Sequence, residues 1–456
     1  MIRFAVLAAL LCTTALPLRA QDSSEAYQPA QGEPDMAPAL PQILPLREQA
    51  SMHDAWLTER FDTIIPDLMR ENGIDMWVLV AREYLEDPVV GTMLNATSLH
   101  ARRRTILIFH DPGAGQPVER LVVSKHGMGT LFEGSWDMEA QPDQWARLAE
   151  IIEERDPQRI AVNTSSLTAF ADGMTYSQYN DMLAALPERY RERIVEGYPL
   201  AIGWLETRTP AELETYRETV RMAHSIIGEG FSTKVITPGK TTNHDLVWWY
   251  RQRVQDLGLS SWFQPSVEIT RQGVDGVLRE DEAVIEKGDM LRVDFGLVYM
   301  GLSTDTQHVA YVLRDGETKP PQGLRDGLAA NNRVQDAVTD AFAVGRTGNE
   351  VLAIARQRAT AQGLNPTIYS HPIGYHGHGA GSSIGLSEEQ TFVPTGEYKL
   401  RPKIAWSIEL KATQPVPEWD GQMVDFKSEE DAFFDGNSVT YIDGRQTRFH
   451  LVGESN

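Results

Sequence analysis

The sequence has 456 residues and a formal net charge of −22 at pH 7, and so acidic a chain is a poor candidate for binding nucleic acid or anionic membranes. The length predicts two domains, each with a core of ordinary size. The single cysteine, Cys12, lies within the first twenty residues, so the stability of the remaining chain is expected to come from its core and not from disulfides.

Residues 1–20 have the pattern of a signal peptide. Arg3 precedes an apolar run over 4–18 that is too short and too early for a membrane-spanning helix. We expect cleavage after Ala20 and export, so that the protein is secreted or periplasmic. Removal of Arg3 and Arg19 would take the net charge from −22 to −24. Residues 21–47, rich in Pro, Ala and Gln, are predicted to form a flexible leader.

The N-terminal half, residues 48–203, alternates apolar strands with amphipathic helices. Asn72-Gly73 is a typical C-terminal helix signal. The predicted elements are helices over 53–72, 145–154 and 177–186, and strands over 76–80, 104–109, 120–124 and 159–162. This alternation predicts one α/β domain, and we find no catalytic motif in it.

The pattern changes in the second half, residues 204–456. Thr209 caps a helix that has Pro210 at its first position. The predicted elements are helices over 211–235 and 243–257, an extended segment over 262–270 and a hairpin over 291–313. Two helices followed by strands predict a second domain in which helices flank an antiparallel sheet.

The predicted hairpin carries two aspartates, Asp294 and Asp305, 11 residues apart. With a short turn near Met300-Gly301, we expect them opposite each other on one face, with Cβ atoms about 5 Å apart. Two carboxylates so close repel each other and lose hydration, so a shared proton or a bound cation must compensate. The alternative is that one aspartate points outward and the hairpin is a soluble edge.

Three further segments carry groups that can bind metal. A histidine- and glycine-rich loop spans 369–381, and two predicted strands contain Glu409 and Glu429. The order Asp, Asp, His, Glu, Glu on successive strands predicts a site for two divalent cations, whose four positive charges balance four carboxylates. Oxygen ligands with one imidazole suit manganese, cobalt, iron or zinc. A water that bridges two such ions becomes a nucleophile near neutral pH.

The segment Gly288-Asp-Met-Leu-Arg-Val-Asp294-Phe-Gly is similar to a motif of the pita-bread metallopeptidases, and the spacing of the two aspartates also matches that family. The family includes methionine aminopeptidase, aminopeptidase P and prolidase, with creatinase as a metal-free relative. The N-terminal half resembles the creatinase-type domain of aminopeptidase P and prolidase. The resemblance implies a fold class of α/β plus α+β, with a creatinase-like domain before a pita-bread domain, and a homodimer.

The resemblance also implies roles for individual residues. Asp294 would chelate one metal, and Asp305 and Glu429 would bridge both. Glu409 and one histidine would bind the second metal, and Glu409 would also shuttle the proton during attack by a metal-bridging hydroxide.

Two histidines compete for the ligand position. His378 lies in a Gly-His-Gly-Ala-Gly segment that looks like the ligand loop of the family, but no histidine follows it by seven residues. From His371, the expected glycine and second histidine are Gly374 and His378. We therefore predict that His371 is the metal ligand and that His378 is a catalytic group contacting the substrate; the exchanged assignment stays open.

Three positions depart from the pattern of the family. Val277 stands where its peptidases have a histidine, Lys427 replaces an arginine, and Gln307-His308 replaces Thr-Arg. We expect His308 or His376 to bind substrate in place of the missing donor. The predicted function is an exported Xaa-Pro aminopeptidase or prolidase-like enzyme acting on peptides. The alternatives are a non-peptidase amide or ester hydrolase and a catalytically silent metal-binding protein.

Overall fold

The computed structural model describes residues 37–113, 115–278 and 283–453. The predicted signal peptide, with Cys12, and residues 21–36 of the predicted leader lie outside these ranges. Among the described residues, no helix is both long enough and apolar enough to cross a membrane.

The N-terminal domain is built on a mixed six-stranded sheet of order β4-β3-β2-β1-β5-β6. Its elements are α1 (Leu46–Asn72), β1 (Met76–Arg82), α2 (Pro88–Gly91), β2 (Arg104–His110), β3 (Glu119–Val123), β4 (Glu133–Gly134), α3 (Gln144–Arg155), β5 (Ile160–Val162), α4 (Tyr176–Ala185), α5 (Glu188–Arg191), β6 (Ile194–Glu196) and α6 (Tyr198–Glu206). Strand β1 is antiparallel to β2 and parallel to β5. All the strands and helices predicted in this half are present, with small differences in their bounds.

Helix α1 ends where the sequence predicts. Gly73 has a φ of 60°, and the backbone N–H groups at this cap return to the carbonyls of Arg70 and Met69, which is how a left-handed residue satisfies the last carbonyls of a helix. The helix packs Phe61 against Trp204 of α6, with ring centroids 5.3 Å apart. Helix α6 joins the core of the N-terminal domain and ends at Glu206.

The predicted flexible leader is wrong for its last part. Helix α1 begins at Leu46, and Leu40 and Ile43 pack against the core of the C-terminal domain. The backbone N–H of Leu44 donates to the hydroxyl of Tyr299 at 3.1 Å. Residues 37–44 therefore lie on the second domain, because their apolar side chains pack on a surface there that composition alone does not reveal.

The C-terminal domain combines several mainly antiparallel sheets with flanking helices. Its elements are α7 (Pro210–Gly230), α8 (Asn243–Asp256), β7 (Ser266–Thr270), β8 (Met290–Phe295), β9 (Val298–Tyr299), β10 (Leu302–Ser303), β11 (Thr306–Val312), α9 (Gln322–Thr339), α10 (Gly348–Ala361), β12 (Pro366–Ile368), β13 (His371–Pro372), β14 (Ile404–Ser407), β15 (Leu410–Val416), β16 (Gln422–Ser428), β17 (Asp431–Phe434), β18 (Val439–Tyr441) and β19 (His450–Val452). The sheets have the orders β19-β11-β8-β7, β12-β15-β16 and β13-β14-β17-β18, with β9-β10 as a separate hairpin. The one parallel pair among the described strands of this domain is β11 with β19.

The predicted hairpin is present, but its register differs from the prediction. Met300 and Gly301 both have positive φ, 51° and 81°, as a two-residue hairpin turn requires. The resulting register places Asp294 opposite Gln307, and not opposite Asp305. Asp305 lies two residues before Gln307, so the two aspartates share one face as diagonal neighbours.

Candidate metal centre

Five strand ends bring the predicted ligands together. Asp294 lies on β8, Asp305 precedes β11, His371 begins β13, Glu409 joins β14 to β15, and Glu429 joins β16 to β17. In each of two groups of three residues, His371 with Glu409 and Glu429, and Asp294 with Asp305 and Glu429, the ligand atoms lie within 4.8 Å of one another. The five residues therefore form one cluster, with Glu429 common to both groups.

His371 presents one nitrogen to this cluster. Its Nδ1 lies 2.9 Å from the carbonyl oxygen of Pro372, and since a carbonyl only accepts, Nδ1 carries the proton and Nε2 the lone pair. Nε2 is 3.5 Å from Glu429 Oε1 and 3.8 Å from Asp305 Oδ2. It is buried and has no hydrogen-bond partner, and the same is true of Asp305 Oδ1. Two such atoms aimed at one point fit a bound cation.

His378 lies beside His371 in the glycine-rich loop. The two rings are perpendicular, with centroids 5.0 Å apart, and the ring of Trp262 is 5.1 Å from that of His378. A Cβ at Gly377 would overlap the Trp262 indole, so only glycine lets the loop pass here. His378 also belongs to a group of possible ligands with Asp305 and His371, and the choice between the two histidines stays a prediction.

Burial and mutual repulsion disturb the carboxyl groups of the cluster. Burial and the negative charge of Glu429 together raise the pKa of Asp294 to about 7. The same two causes raise the pKa values of Asp305 and Glu409 well above their ordinary range. Asp431, whose carboxylate accepts from the backbone N–H of Asp305 at 3.4 Å, also has a pKa raised well above normal by burial. A cluster that concentrates negative charge in this way is suited to divalent cations.

Sequence reasoning missed a polar network beside the cluster. The Gln307 amide donates to Glu409 and, at 2.7 Å, to Glu429 Oε2, while its oxygen accepts from Arg292 at 2.6 Å. Arg292 pairs with Glu268, which Lys427 also contacts at 2.9 Å. A cavity of about 450 Å³ is lined by Gln307, Arg292, Glu268 and Lys427, together with Asp294 and Glu409. Residues two apart on a strand share one face. Arg292 is two residues from Asp294, and Gln307 is two residues from Asp305, so this spacing could have predicted that both lie beside the cluster.

The two predicted substrate-binding histidines are not at the cluster. His308 follows Gln307 on β11 and points to the opposite face, where Nε2 lies 3.1 Å from Glu430, because neighbouring side chains on a strand alternate. His376 stacks on Phe170 of the N-terminal domain, with ring centroids 4.6 Å apart, and burial lowers its pKa to about 4. Val277 is half-buried and is not among the residues that line the cavity.

The described residues fit a pair of divalent cations. Four carboxylates and one imidazole supply hard oxygen donors and one nitrogen, and two donor atoms lack protein partners. This donor set suits manganese, cobalt, iron or zinc.

Residues 214–436 match the model of metallopeptidase family M24. The C-terminal domain is therefore similar to the metallopeptidases of this family. No curated protein matches the chain in sequence. Among solved structures, the chain resembles in fold the X-Pro aminopeptidase from Thermotoga maritima MSB8, with 14% identity and a TM-score of 0.58, over 85% of this chain and all of the other.

Two further structures share the fold. The Xaa-Pro dipeptidase from Bacillus anthracis has 17% identity and a TM-score of 0.54, over 89% of this chain and 100% of the other. The prolidase from Pyrococcus horikoshii OT3 has 13% identity and a TM-score of 0.53, over 85% and 99%. These likenesses and the M24 match confirm the predicted fold class, a pita-bread domain behind a creatinase-like domain.

Proposed function

We propose that this M24 protein is an exported peptidase that uses two divalent metal ions to cleave the bond before proline, as an Xaa-Pro aminopeptidase or prolidase-like enzyme. The observation that carries the proposal is the cluster of Asp294, Asp305, His371, Glu409 and Glu429. The metals, when bound, would activate water and polarise the scissile carbonyl. Structural neighbours named as X-Pro aminopeptidase, Xaa-Pro dipeptidase and prolidase support this choice of bond.

In this mechanism, different residues would hold the metals, transfer the proton and stabilise the developing negative charge. Asp294, Asp305, Glu429, Glu409 and His371 would hold the metals. Glu409, whose pKa burial raises, is suited to take a proton from the attacking water and return it to the leaving nitrogen. His378, exposed at the edge of the cluster, would donate to the oxygen that gains negative charge.

The cavity beside the cluster offers other groups for orienting a peptide. The predicted donors, His308 and His376, are elsewhere, but Arg292, Lys427 and Tyr369 line the cavity. Arg292 and Lys427 share Glu268 as a partner, so these three residues together carry one net positive charge. That charge is suited to the polar backbone and carboxylate of a short peptide.

The test is turnover of matched peptides by the metal-loaded protein. X-Pro dipeptides, X-Pro tripeptides and the corresponding X-Ala peptides should be compared with added Mn²⁺, Co²⁺ or Zn²⁺, with Glu409→Gln as the inactive control. We expect cleavage of X-Pro and little of X-Ala. Equal or absent cleavage of both, with metal bound, would contradict the proposal.

A second candidate is an amide or ester hydrolase that does not act on peptides. Val277 and the displaced His308 and His376 favour it, because they leave the centre without the donors expected of a peptidase. A panel of simple amides and esters separates the two functions: hydrolysis of these with no X-Pro turnover identifies the second.

A further inference from the structure

A second buried cluster lies behind the metal centre. It contains His224 from α7, His308 from β11 and Glu430, which follows Glu429. One ligand atom from each of these residues lies within 4.8 Å of the others, and their side chains are only 1–3% exposed. None of them belongs to the cluster that carries the proposed function.

The two clusters share strands but face opposite sides. Gln307 and Glu429 form a backbone bridge and point to the metal centre, whereas the next residues, His308 and Glu430, point away from it. This follows from the alternation of side chains along an extended chain. The same two segments therefore present ligand-type residues on both faces.

The distances within the cluster suit direct coordination. Glu430 Oε2 lies 3.4 Å from His224 Nε2, and Glu430 Oε1 lies 3.1 Å from His308 Nε2. Ligands bound tetrahedrally at about 2.0–2.1 Å stand about 3.3 Å apart. His224 Nε2 and Glu430 Oε2 are both buried without a hydrogen-bond partner, and a shared cation would satisfy both.

Outer partners orient each histidine. His224 Nδ1 lies 3.2 Å from Asp443 Oδ2, and Asp443 is in turn held by Arg221 at 2.8 Å. His308 Nδ1 lies 3.1 Å from His450 Nε2. Burial lowers the pKa of His450 well below its usual range, so His450 is neutral and can accept. Each inner nitrogen is then left with a lone pair, the arrangement in which an outer acceptor fixes a metal-binding histidine.

We propose that His224, His308 and Glu430 form a separate two-histidine, one-carboxylate site for a single divalent transition metal such as zinc. His450, which contacts His308, lines a cavity of about 560 Å³ that also borders residues 37 and 38. The competing occupant is a proton. The neighbouring acids raise the pKa of His224 to about 9 despite its burial. The same negative charges would therefore stabilise either a proton on His224 or a metal ion.

Zinc stoichiometry tests the site apart from any peptidase activity. Full-length protein is stripped with chelator, loaded with Zn²⁺, passed through gel filtration and analysed for zinc per chain. In an Asp294→Asn/Glu409→Gln background, which weakens the first centre, we expect one zinc to remain. Adding Glu430→Gln should remove it, whereas adding His371→Gln or the exposed-residue control His126→Gln should not.

Cobalt gives a second readout, made on the wild-type protein and on the double variant. Wild-type protein loaded with Co²⁺ should show a visible band of a four-coordinate nitrogen-containing site, and this band should persist in the Asp294→Asn/Glu409→Gln protein. The proposal is overturned if that protein holds no zinc and no such band, or if its zinc is lost with His371→Gln and kept with Glu430→Gln. In either case the cluster holds only a proton.

Discussion

Gln307 and Glu429 are joined by both their backbones and their side chains. The backbone N–H of Gln307 donates to the carbonyl of Glu429 at 3.0 Å, and that of Glu429 donates back at 3.3 Å. The Gln307 amide then donates to Glu429 Oε2 at 2.7 Å. This double link ties β11 to the β16–β17 connection, so it sets the distance between the aspartates and the glutamates of the metal centre.

Gln307→Leu should destabilise the chelator-treated protein by about 1–3 kcal/mol, because Glu409, Glu429 and Arg292 would each lose a buried hydrogen-bond partner. Urea denaturation of the metal-free protein measures this change. The matched control is Gln322→Leu on α9, whose amide bonds only to exposed Asp326 and which should change stability by less than about 0.5 kcal/mol. Equal effects of the two substitutions would show that the Gln307 link contributes nothing.

Asp305→Asn should weaken binding of both metals, because it removes one of four negative charges and an oxygen predicted to bridge them. Metal content after gel filtration should fall well below two ions per chain. Asp315→Asn, at a side chain that is 91% exposed, controls for the chemistry of the substitution. If the Asp305 variant keeps two ions, Asp305 is not a bridging ligand.

His371→Ala and His378→Ala should have different effects. The first should lose metal, because Nε2 of His371 is aimed between Asp305 and Glu429. The second should keep metal but lose about one to two decades in rate, the value of one hydrogen bond to a developing charge. Metal analysis and turnover together check this, with His376→Ala as the control. A His378 variant that loses metal beside a His371 variant that keeps it would exchange the two roles.

Glu206→Gln should remove part of the pH dependence of stability. Glu206 is buried between Tyr398, which donates to it at 2.9 Å, and Arg401, and burial raises its pKa to about 8 from 4.5. Between these values the folded protein keeps a proton that the unfolded chain releases, so this group makes stability fall as pH rises from about 4.5 to 8.

The variant should therefore match wild type near pH 4 and be more stable above pH 8, by about 2–5 kcal/mol on the scale of 1.4 kcal/mol per pKa unit. Thermal and urea unfolding at both pH values measure the difference. Glu71→Gln, at the exposed partner of Arg401, should show no such divergence. A difference that is constant with pH would mean that Glu206 is ionised in the folded protein.

The sequence by itself determined many of the elements and the residues of the candidate metal centre. Periodicity located the strands around Met76 and Arg104, and Asn72-Gly73 located a helix end, because these signals are local. The order and spacing of Asp294, Asp305, Glu409 and Glu429 predicted a site that the structure does assemble in one place. Even the shared face of the two aspartates followed from their odd separation across a two-residue turn.

Tertiary structure decided which face each neighbouring residue occupies and what it meets there. Alternation dictates that Gln307 and His308 point apart, but only packing decides that Gln307 joins the metal centre while His308 meets His224 and Glu430. His376 was expected near substrate, yet it stacks on Phe170 of the other domain. Such contacts join residues far apart in the chain, and no local propensity or spacing encodes them.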